Sequence, residues 1–384
     1  MTAGAPGSAG YILVVTDRAC EASDVLFFEH VVPRMPDALR VVRTGVDRLA
    51  DGLAGATAVV IVRSLIELRH VSGCARRLGV PCYYFLDDNF MLLRDEPDPY
   101  ATWFAGYSTG GVRAALQDFE GVLLATPALM DYCRAHQLHE RLSFYPPVAG
   151  HRAVRADASA SRPLTLAFFG GTHRRDAFVQ FVYPAIRRAA DARDIVLVAV
   201  GVDRALAPPL GRLQVVHQPY NPSYTDALAS VARHGIDILV HPGSQSVNNP
   251  YKNPHVLINA WMLGAAPIFS NLPPYDAVAG DGVAILCENT VDDWSRAIAT
   301  LAGNPAARRD IAERLSAYCS AHFGGHVNEQ VLASILKAHR APIASQHRGR
   351  RLRAAVCLGV SRATGLARRA VRRASRKRAP AGRA

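Results

Sequence analysis

Short, almost wholly apolar runs recur along this chain, separated by helical segments that end at Gly or Pro. The first run is Tyr11–Thr16 (YILVVT), which is too apolar for a strand with one face in water and predicts a strand buried on both faces. Runs of the same kind recur up to residue 145 and again between residues 164 and 287. Because strands that alternate with helices form parallel sheets covered on both faces, the sequence predicts two doubly wound α/β domains.

A segment without periodicity separates the two groups of strands. Residues 146–163 (PPVAGHRAVRADASASRP) are rich in Pro, Ala and Ser, which is typical of a linker. A chain of 384 residues that is 49% hydrophobic is long enough for two packed cores. We therefore predict a first domain over residues 10–145, a second over 164–340 and a separate tail over 341–384.

The net charge of +12 lies in that tail. Residues 341–384 contain 13 Arg or Lys and no Asp or Glu, so the rest of the chain is nearly neutral. Arg368, Arg372 and Arg376, with the adjacent Arg369 and Arg373, would share one helical face and suggest a basic amphipathic helix at an anionic membrane surface. A disordered extension is the alternative. Nucleic acid is not expected as a partner, because the tail has no aromatic residue on which bases could stack.

The cysteines and the hydropathy indicate the compartment. Seven scattered cysteines without a Cys-x-x-Cys pair predict buried free thiols rather than disulfides or a zinc site. No signal-peptide pattern and no run of about 20 apolar residues is present. We expect a cytoplasmic protein, with the tail as a means of peripheral attachment to the inner face of the plasma membrane.

One stretch combines a polar loop, a helix and a buried strand. Residues 248–270 open with a Pro-interrupted loop, continue as a helix that stops at Gly264, and end in the strand Ala266–Phe269. Lys252, Asn253 and His255 lie in the loop or at the start of the helix, where free N–H groups and the helix dipole favour an anion. This stretch predicts a phosphate site.

The same stretch resembles the donor-site signature of the GT-B glycosyltransferases, in which a helix ends in an E-A-x-x-x-G-x-P-V run. Here the run is Asn259-Ala-Trp-Met-Leu-Gly-Ala-Ala-Pro-Ile. Lys252 matches a basic residue that many of these enzymes place against the donor diphosphate. The retaining members carry two Glu residues eight positions apart, and this chain has Tyr251 and Asn259 there. The resemblance implies a nucleotide-sugar donor and, over most of residues 10–340, the GT-B fold.

Two further turns are candidate site segments. Gly170 and Gly171 follow the first strand of the second domain, where the resembled family holds the donor diphosphate, and Arg174 adds positive charge. The neighbouring Arg175 is expected to be a solvated surface residue. Asp87 and Asp88 follow a first-domain strand at its carboxyl end, where open α/β sheets bind ligands. They are either helix caps or residues on the acceptor side of the cleft.

These observations favour a glycosyltransferase of the hexosyltransferase type that uses neither a metal nor a cofactor beyond its nucleotide-sugar co-substrate. The acceptor would be a glycan or a lipid-linked sugar in the synthesis of cell-surface polysaccharides or glycoconjugates. A non-catalytic GT-B protein that binds a nucleotide or glycan, or scaffolds a partner, is the alternative, because the Glu pair is absent. A dehydrogenase is disfavoured, since no G-x-G-x-x-G follows the first strand.

The predicted residues form two groups. The predicted catalytic residues are Lys252, Arg174, Asp87 and Asp88. The predicted donor-binding residues are Gly170, Gly171, Thr172, His173, His241, Asn249, Asn253, Pro254, His255 and Asn259. For His241, which ends an apolar strand, a place in the hydrophobic core is an equally good interpretation. No Asp-x-Asp pair indicates a metal site.

Overall fold

The fold consists of two parallel β-sheets with helices packed around them. The structure is a computed structural model, and it describes residues 10–17, 21–44, 49–97, 100–151, 162–170, 172–339 and 346–359. Within these residues, each strand pairs with its sheet neighbours in parallel. The predicted α/β class with two doubly wound domains is therefore confirmed.

The first sheet is six-stranded and has the order β2-β1-β3-β4-β5-β6. Its strands are β1 Tyr11–Thr16, β2 Leu39–Arg43, β3 Ala56–Val62, β4 Cys82–Leu86, β5 Gly121–Leu124 and β6 Leu142–Phe144. Every residue of β1 and β3 is buried, because both strands lie inside the sheet with helices on both faces.

The second sheet is also six-stranded, with the order β12-β11-β10-β7-β8-β9. Its strands are β7 Leu164–Phe169, β8 Ile195–Val200, β9 Leu213–Gln218, β10 Ile238–His241, β11 Ala266–Ser270 and β12 Ile285–Cys287. Strand β1 has the predicted bounds, and β11 extends one residue beyond the predicted Ala266–Phe269.

Helices connect the strands and cover the sheets. The α-helices are α1 Ala22–Asp24, α2 Leu49–Gly55, α3 Arg69–Arg77, α4 Phe90–Leu93, α5 Tyr100–Trp103, α6 Thr109–Leu116, α7 Pro127–Ala135, α8 Thr172–Ala177, α9 Tyr183–Ala190, α10 Tyr224–Ala232, α11 Val256–Leu263, α12 Val291–Gly303, α13 Pro305–His322, α14 His326–Ala338 and a final helix, α15, over residues 347–359. Shorter 3-10 helices span Val32–Arg34, Asn249–Tyr251 and Asp276–Asp281, and π-helical turns span Val25–Glu29 and Phe178–Val182. Gly264 ends α11 in the left-handed conformation (φ 64°), as predicted.

The last two helices return to the first domain. Helix α14 lies against β1 and β3, and Asn328 Nδ2 donates to the carbonyl of Pro146 at 2.9 Å. In α15, Ala354 is fully buried and its carbonyl accepts a weak hydrogen bond from the Cys74 thiol at 3.8 Å. Residues 347–359 of the predicted tail thus form a helix whose small apolar residues pack on the first domain. The predicted arginine face at residues 368–376 lies outside the described residues.

Two sequence-based expectations concern thiols and membrane spans. The six cysteines in the described part of the chain are buried free thiols, as predicted. None of the helices described has both the length and the apolar character that crossing a bilayer requires.

Candidate functional site

A cavity of about 520 Å³ lies between the two domains. Loops at the carboxyl ends of the strands of both sheets line it, as expected for ligand sites in open α/β sheets. The second domain contributes Arg174, Ser244, Gln245, Ser246, Asn249 and Lys252. The first domain contributes side chains that follow β1, β3 and β4, among them Asp88.

Arg174 and Lys252 bring two positive charges to this cavity. Neither forms a hydrogen bond or an ion pair with any residue in the described ranges, and the Nε of Arg174 is buried without a partner. Burial lowers the pKa of Lys252, and the nearby Arg174 lowers it further, against the opposing effect of Asp88. Two cations held together in this way favour an anionic ligand with more than one negative oxygen.

Arg174 lies in the first turn of helix α8, which begins at Thr172. Its side chain therefore projects from a helix and not from a glycine loop. Gly170 is buried, and a Cβ there would come within 2.2 Å of the Phe168 ring. Gly171 lies outside the described residues, as do the side chains of Thr172 and His173.

The positive charges of Arg174 and Lys252 affect the pKa values of His241 and His255. Burial lowers the pKa of His255 to about 4, and Arg174 and Lys252 contribute in the same direction. Burial also holds the pKa of His241 well below its usual value, again with Arg174 contributing. His241 packs against the rings of Phe269 and Tyr275. The structure thus places it in the core beside the site, and both imidazoles are neutral at pH 7.

The polar residues around Lys252 have different surroundings. Asn249 lines the cavity, and its Nδ2 donates to the Ser244 carbonyl at 2.6 Å. Asn253 is buried, and its Oδ1 has no hydrogen-bond partner within the described residues. The Pro254 carbonyl accepts the Leu257 N–H at 3.0 Å, at the start of α11.

The two positions at which the resembled enzymes carry Glu are occupied by side chains with partners in this fold. Asn259 is buried, and its Oδ1 accepts from the Tyr224 hydroxyl at 2.6 Å. Tyr251 packs edge-on against Tyr132, with ring centroids 5.5 Å apart, and its carbonyl accepts from Thr126 Oγ1 at 3.0 Å. Tyr251 therefore contributes to the domain interface.

Arg63, which the sequence analysis missed, organises the carboxylates of the first domain. Its Nη1 donates to Asp87 Oδ1 at 2.5 Å and to Asp88 Oδ2 at 3.1 Å. Arg63 follows β3 in a left-handed conformation (φ 55°), which is uncommon for a residue other than Gly. The sequence signal that could have identified Arg63 is its place directly after a wholly apolar strand, where a cation is unusual.

Asp87 and Asp88 differ in their environments. Asp88 lines the cavity, and Lys252 and Arg63 lower its pKa despite its burial. Asp87 is buried behind it and bound to Ser23 and Arg63, and burial raises its pKa. Neither caps a helix, since the Asn89 side chain caps α4 by accepting the Leu92 N–H.

The first-domain wall is otherwise acidic. Asp17, Glu21, Asp24, Glu67 and Glu96 all line the cavity. Asp24 is only 2% exposed, and its burial raises its pKa to about 7. The sequence analysis did not single out these residues, which are spread over the segments that follow three strands.

Within the described residues, no three His, Cys, Asp or Glu side chains are grouped as metal ligands would be.

Side chains that hold the two domains together also lie beside the cavity. Glu96 accepts from Ser246 Oγ and from the Val247 N–H, each at 2.8 Å, across the domain boundary. The two walls of the cavity are thus joined by direct hydrogen bonds.

Several solved structures resemble this one. The Anabaena protein HepE, solved in complex with UDP-glucose, matches with a TM-score of 0.57 and 12% identity over 85% of this chain and 99% of that chain. WaaG, a glycosyltransferase involved in lipopolysaccharide biosynthesis, matches with a TM-score of 0.55 and 14% identity over 84% and 99% of the two chains. The sucrose-phosphate synthase of Thermosynechococcus elongatus matches with a TM-score of 0.52 and 13% identity over 85% and 100%.

No family model and no curated protein matches the sequence itself. The structural matches nevertheless extend over nearly the whole length of each of these solved chains. At such low identities the likeness shows the fold alone, and the fold of this chain is GT-B.

Proposed function

We propose that the protein is a glycosyltransferase that transfers a sugar from a nucleotide-diphosphate donor. The observation that carries the proposal is a pair of cations in the cavity between the two domains, Arg174 and Lys252, for which the described part of the chain provides no hydrogen-bond or ion-pair partner. A diphosphate carries negatively charged oxygens on both of its phosphate groups and therefore suits a pair of cations. Because HepE was solved with UDP and with UDP-glucose, a UDP-linked sugar is the first donor to test.

The chemistry requires the protein to stabilise the leaving diphosphate. Negative charge develops on its oxygens as the bond to the sugar breaks, and preorganised cations lower the energy of that state. Arg174 and Lys252 supply this stabilisation without a metal ion. The acceptor, a glycan or a lipid-linked sugar, would bind along the first-domain wall near Asp88.

The alternative is a GT-B protein that binds a nucleotide sugar without turning it over. Its support is the absence of carboxylates at residues 251 and 259, where Tyr251 packs in the interface and the oxygen of Asn259 is bound by Tyr224. Measuring donor binding and nucleotide release separately distinguishes the two proposals.

We also propose that the protein attaches to an anionic membrane surface. On α15, Leu352 and Val356 lie one turn apart on the outer face, with 68% and 59% of their surface exposed. Arg351 and Arg353 flank them, and the sequence beyond residue 359 is strongly basic. Apolar side chains surrounded by arginines suit the interface of a bilayer with anionic headgroups.

The test of the donor proposal is titration of UDP, GDP, ADP, CMP and dTDP, and of their sugar conjugates, by calorimetry and thermal shift. A ligand at about 100 to 1,000 times its Kd stabilises the folded state by about 3 to 4 kcal/mol. Lys252→Met and Arg174→Met should each weaken binding by about 10- to 100-fold, as expected for the loss of a charged hydrogen bond.

The chain offers matched controls for both variants. Lys337 is exposed on α14, and Arg175, next to Arg174, pairs at 3.7 Å with Asp176, so Lys337→Met and Arg175→Met should bind the nucleotide normally. If no nucleotide binds, or if Lys252→Met binds as tightly as the unaltered protein, the donor site is wrong. Binding without nucleotide release in the presence of acceptors would favour the non-catalytic alternative.

A further inference from the structure

Residues 246–251 form the segment that leads into Lys252, the lysine of the cavity. In the described part of the chain, the hydrogen bonds that this segment makes beyond residues 244–252 all go to the first domain. Their first-domain partners are Asp88, Asn89, Glu96 and Thr126. The segment belongs to the second domain by sequence, but the first domain holds it in place.

Thr126 makes the contact nearest to the lysine. Its Oγ1 donates to the Tyr251 carbonyl at 3.0 Å, and the N–H of the same peptide group, which belongs to Lys252, donates to the Asn249 carbonyl at 3.2 Å. A peptide group is planar, so hydrogen bonds to its oxygen and from its nitrogen together fix its orientation. That orientation sets the direction in which the Lys252 side chain leaves the backbone.

The Thr126 side chain is itself held in one place. Thr126 is buried at the N-cap of α7, where its Oγ1 accepts the Leu129 N–H at 3.1 Å. A hydroxyl has a single proton to donate, so this acceptance leaves the proton for the Tyr251 carbonyl. Helix α7 also packs against the 3-10 helix Asn249–Tyr251, with the ring of Tyr132 edge-on to that of Tyr251.

We propose that Thr126 is a positioning residue for Lys252: its hydroxyl orients the peptide group before the lysine, so that the ammonium group meets the diphosphate while the first domain holds this segment. Thr126 is not among the residues that line the cavity, so it acts through Lys252 and not by touching the donor. This inference rests on the proposed glycosyltransferase function and adds that the first domain completes the donor site.

The test is calorimetric titration of UDP into Thr126→Val, which keeps the shape of the side chain and removes the hydroxyl. We expect binding to weaken by about three- to tenfold, as for the loss of one hydrogen bond. Thr126→Ser keeps the hydroxyl and should restore most of the affinity.

Thr290→Val is the matched control. Thr290 caps α12 by accepting the Asp293 N–H at 3.1 Å, and it does not line the cavity. The control therefore loses a helix cap, as Thr126→Val does, but no contact with the segment before Lys252. It should bind UDP as tightly as the unaltered protein.

A double-mutant cycle separates positioning from a general effect on the fold. In the Lys252→Met background, Thr126→Val should weaken UDP binding further by less than about twofold, because the group that Thr126 positions is gone. A substitution that acts through the fold as a whole would weaken binding equally in both backgrounds. Independent effects in the cycle would therefore overturn the inference.

A second measurement does not depend on a ligand. The chain has three lysines, Lys252, Lys337 and Lys377, so reductive methylation with 13C-formaldehyde gives three lysine NMR signals, and Lys252→Met identifies one of them. Thr126→Val and Thr126→Gly should both shift or broaden the Lys252 signal, whereas Thr290→Val should leave it unchanged. Glycine is nearly as well tolerated as threonine at an N-cap, so Thr126→Gly provides a folded protein if Thr126→Val does not.

The outcomes separate this inference from the donor proposal. If UDP binds the unaltered protein and binds Thr126→Val and Thr126→Gly equally well, the positioning role is overturned and the donor site stands. An unchanged Lys252 signal in both variants would overturn it as well. Absence of UDP binding to the unaltered protein would instead contradict the proposed function, and the lysine signals would still decide whether Thr126 sets the environment of Lys252.

Discussion

Asn248 of the second domain is hydrogen-bonded to Asp88 of the first, its Nδ2 donating to Asp88 Oδ1 at 2.8 Å. Its Oδ1 accepts the backbone N–H of Asn89 at 2.7 Å, so one amide group bridges the domains twice. Asn248 is fully buried. Asp88 also pairs with Arg63, and Lys252 lowers the pKa of Asp88. The bridge therefore links the contact between the domains to the charges of the cavity.

The bridge predicts that Asn248→Asp weakens domain closure. The new carboxylate can still accept from Asn89, but it places a second negative charge against Asp88 and donates nothing to it. Breaking a buried polar pair in this way costs about 3 kcal/mol, which corresponds to a fall in Tm of several degrees. Calorimetry should show a lower transition that broadens or splits into two domain transitions.

Asn221→Asp is the control for this variant. Asn221 Oδ1 accepts the Ser223 N–H at 2.9 Å within one turn, and Asp accepts it equally well. Its Tm should therefore be unchanged. A normal, single transition in Asn248→Asp would mean that the interdomain hydrogen bonds contribute little to stability.

We expect the folded protein to become slightly more stable when Lys252 is replaced by an uncharged residue. The structure buries most of the Lys252 side chain. Its lowered pKa means that the fold disfavours the ammonium group, chiefly through burial and repulsion from Arg174. We expect Lys252→Met to raise Tm slightly while it weakens donor binding. A fall in Tm of more than a few degrees would show that the lysine supports the fold.

The two histidines predict a loss of stability in acid. The pKa of His255 in the folded state is about 4, below the unfolded value of 6.5. Neutral His255 therefore contributes stability that is fully present above about pH 6.5 and is lost as the pH falls toward 4, by up to about 3 kcal/mol. His241 acts in the same direction.

Urea unfolding of His255→Gln between pH 7 and 4.5 checks this expectation. The variant should lose less stability than the unaltered protein over that range, whereas His136→Gln, at an exposed position, should lose as much. Equal losses in all three proteins would mean that His255 becomes protonated in the folded state as easily as in the unfolded state.

The sequence predicted features that depend on local composition. An apolar run such as Tyr11–Thr16 can be satisfied only between two layers of helices, so its place in the sheet follows from its residues. The proximity of Arg174 and Lys252 followed from topology, because both lie after the carboxyl ends of strands in one sheet.

Features that depend on contacts between distant segments could not be predicted in this way. The partners of Arg63 are 24 and 25 residues away, and Asn248 reaches 160 residues back to Asp88. The burial of Asp24 depends on how the segment after β1 packs against the rest of the domain. No periodicity in the sequence encodes these distances.

The membrane proposal predicts that residues 360–384 can be removed without loss of the fold. Nine Arg or Lys lie in this segment, and each can contribute up to about 1 kcal/mol of attraction near an anionic leaflet. The shortened protein should sediment less with vesicles of phosphatidylglycerol and phosphatidylcholine and should keep its Tm and its affinity for UDP.

The cut must follow residue 359, because removal of α15 would also remove the buried Ala354 and Cys357 from the first domain. A full-length variant in which the nine basic residues are Gln tests charge alone and should behave as the shortened protein does. Changing Leu352 and Val356 to Ser should weaken binding further, since both are exposed and their loss leaves the core intact. If the shortened protein still sediments with anionic vesicles as the full chain does, attachment does not depend on the basic segment, and α15 alone would have to account for it.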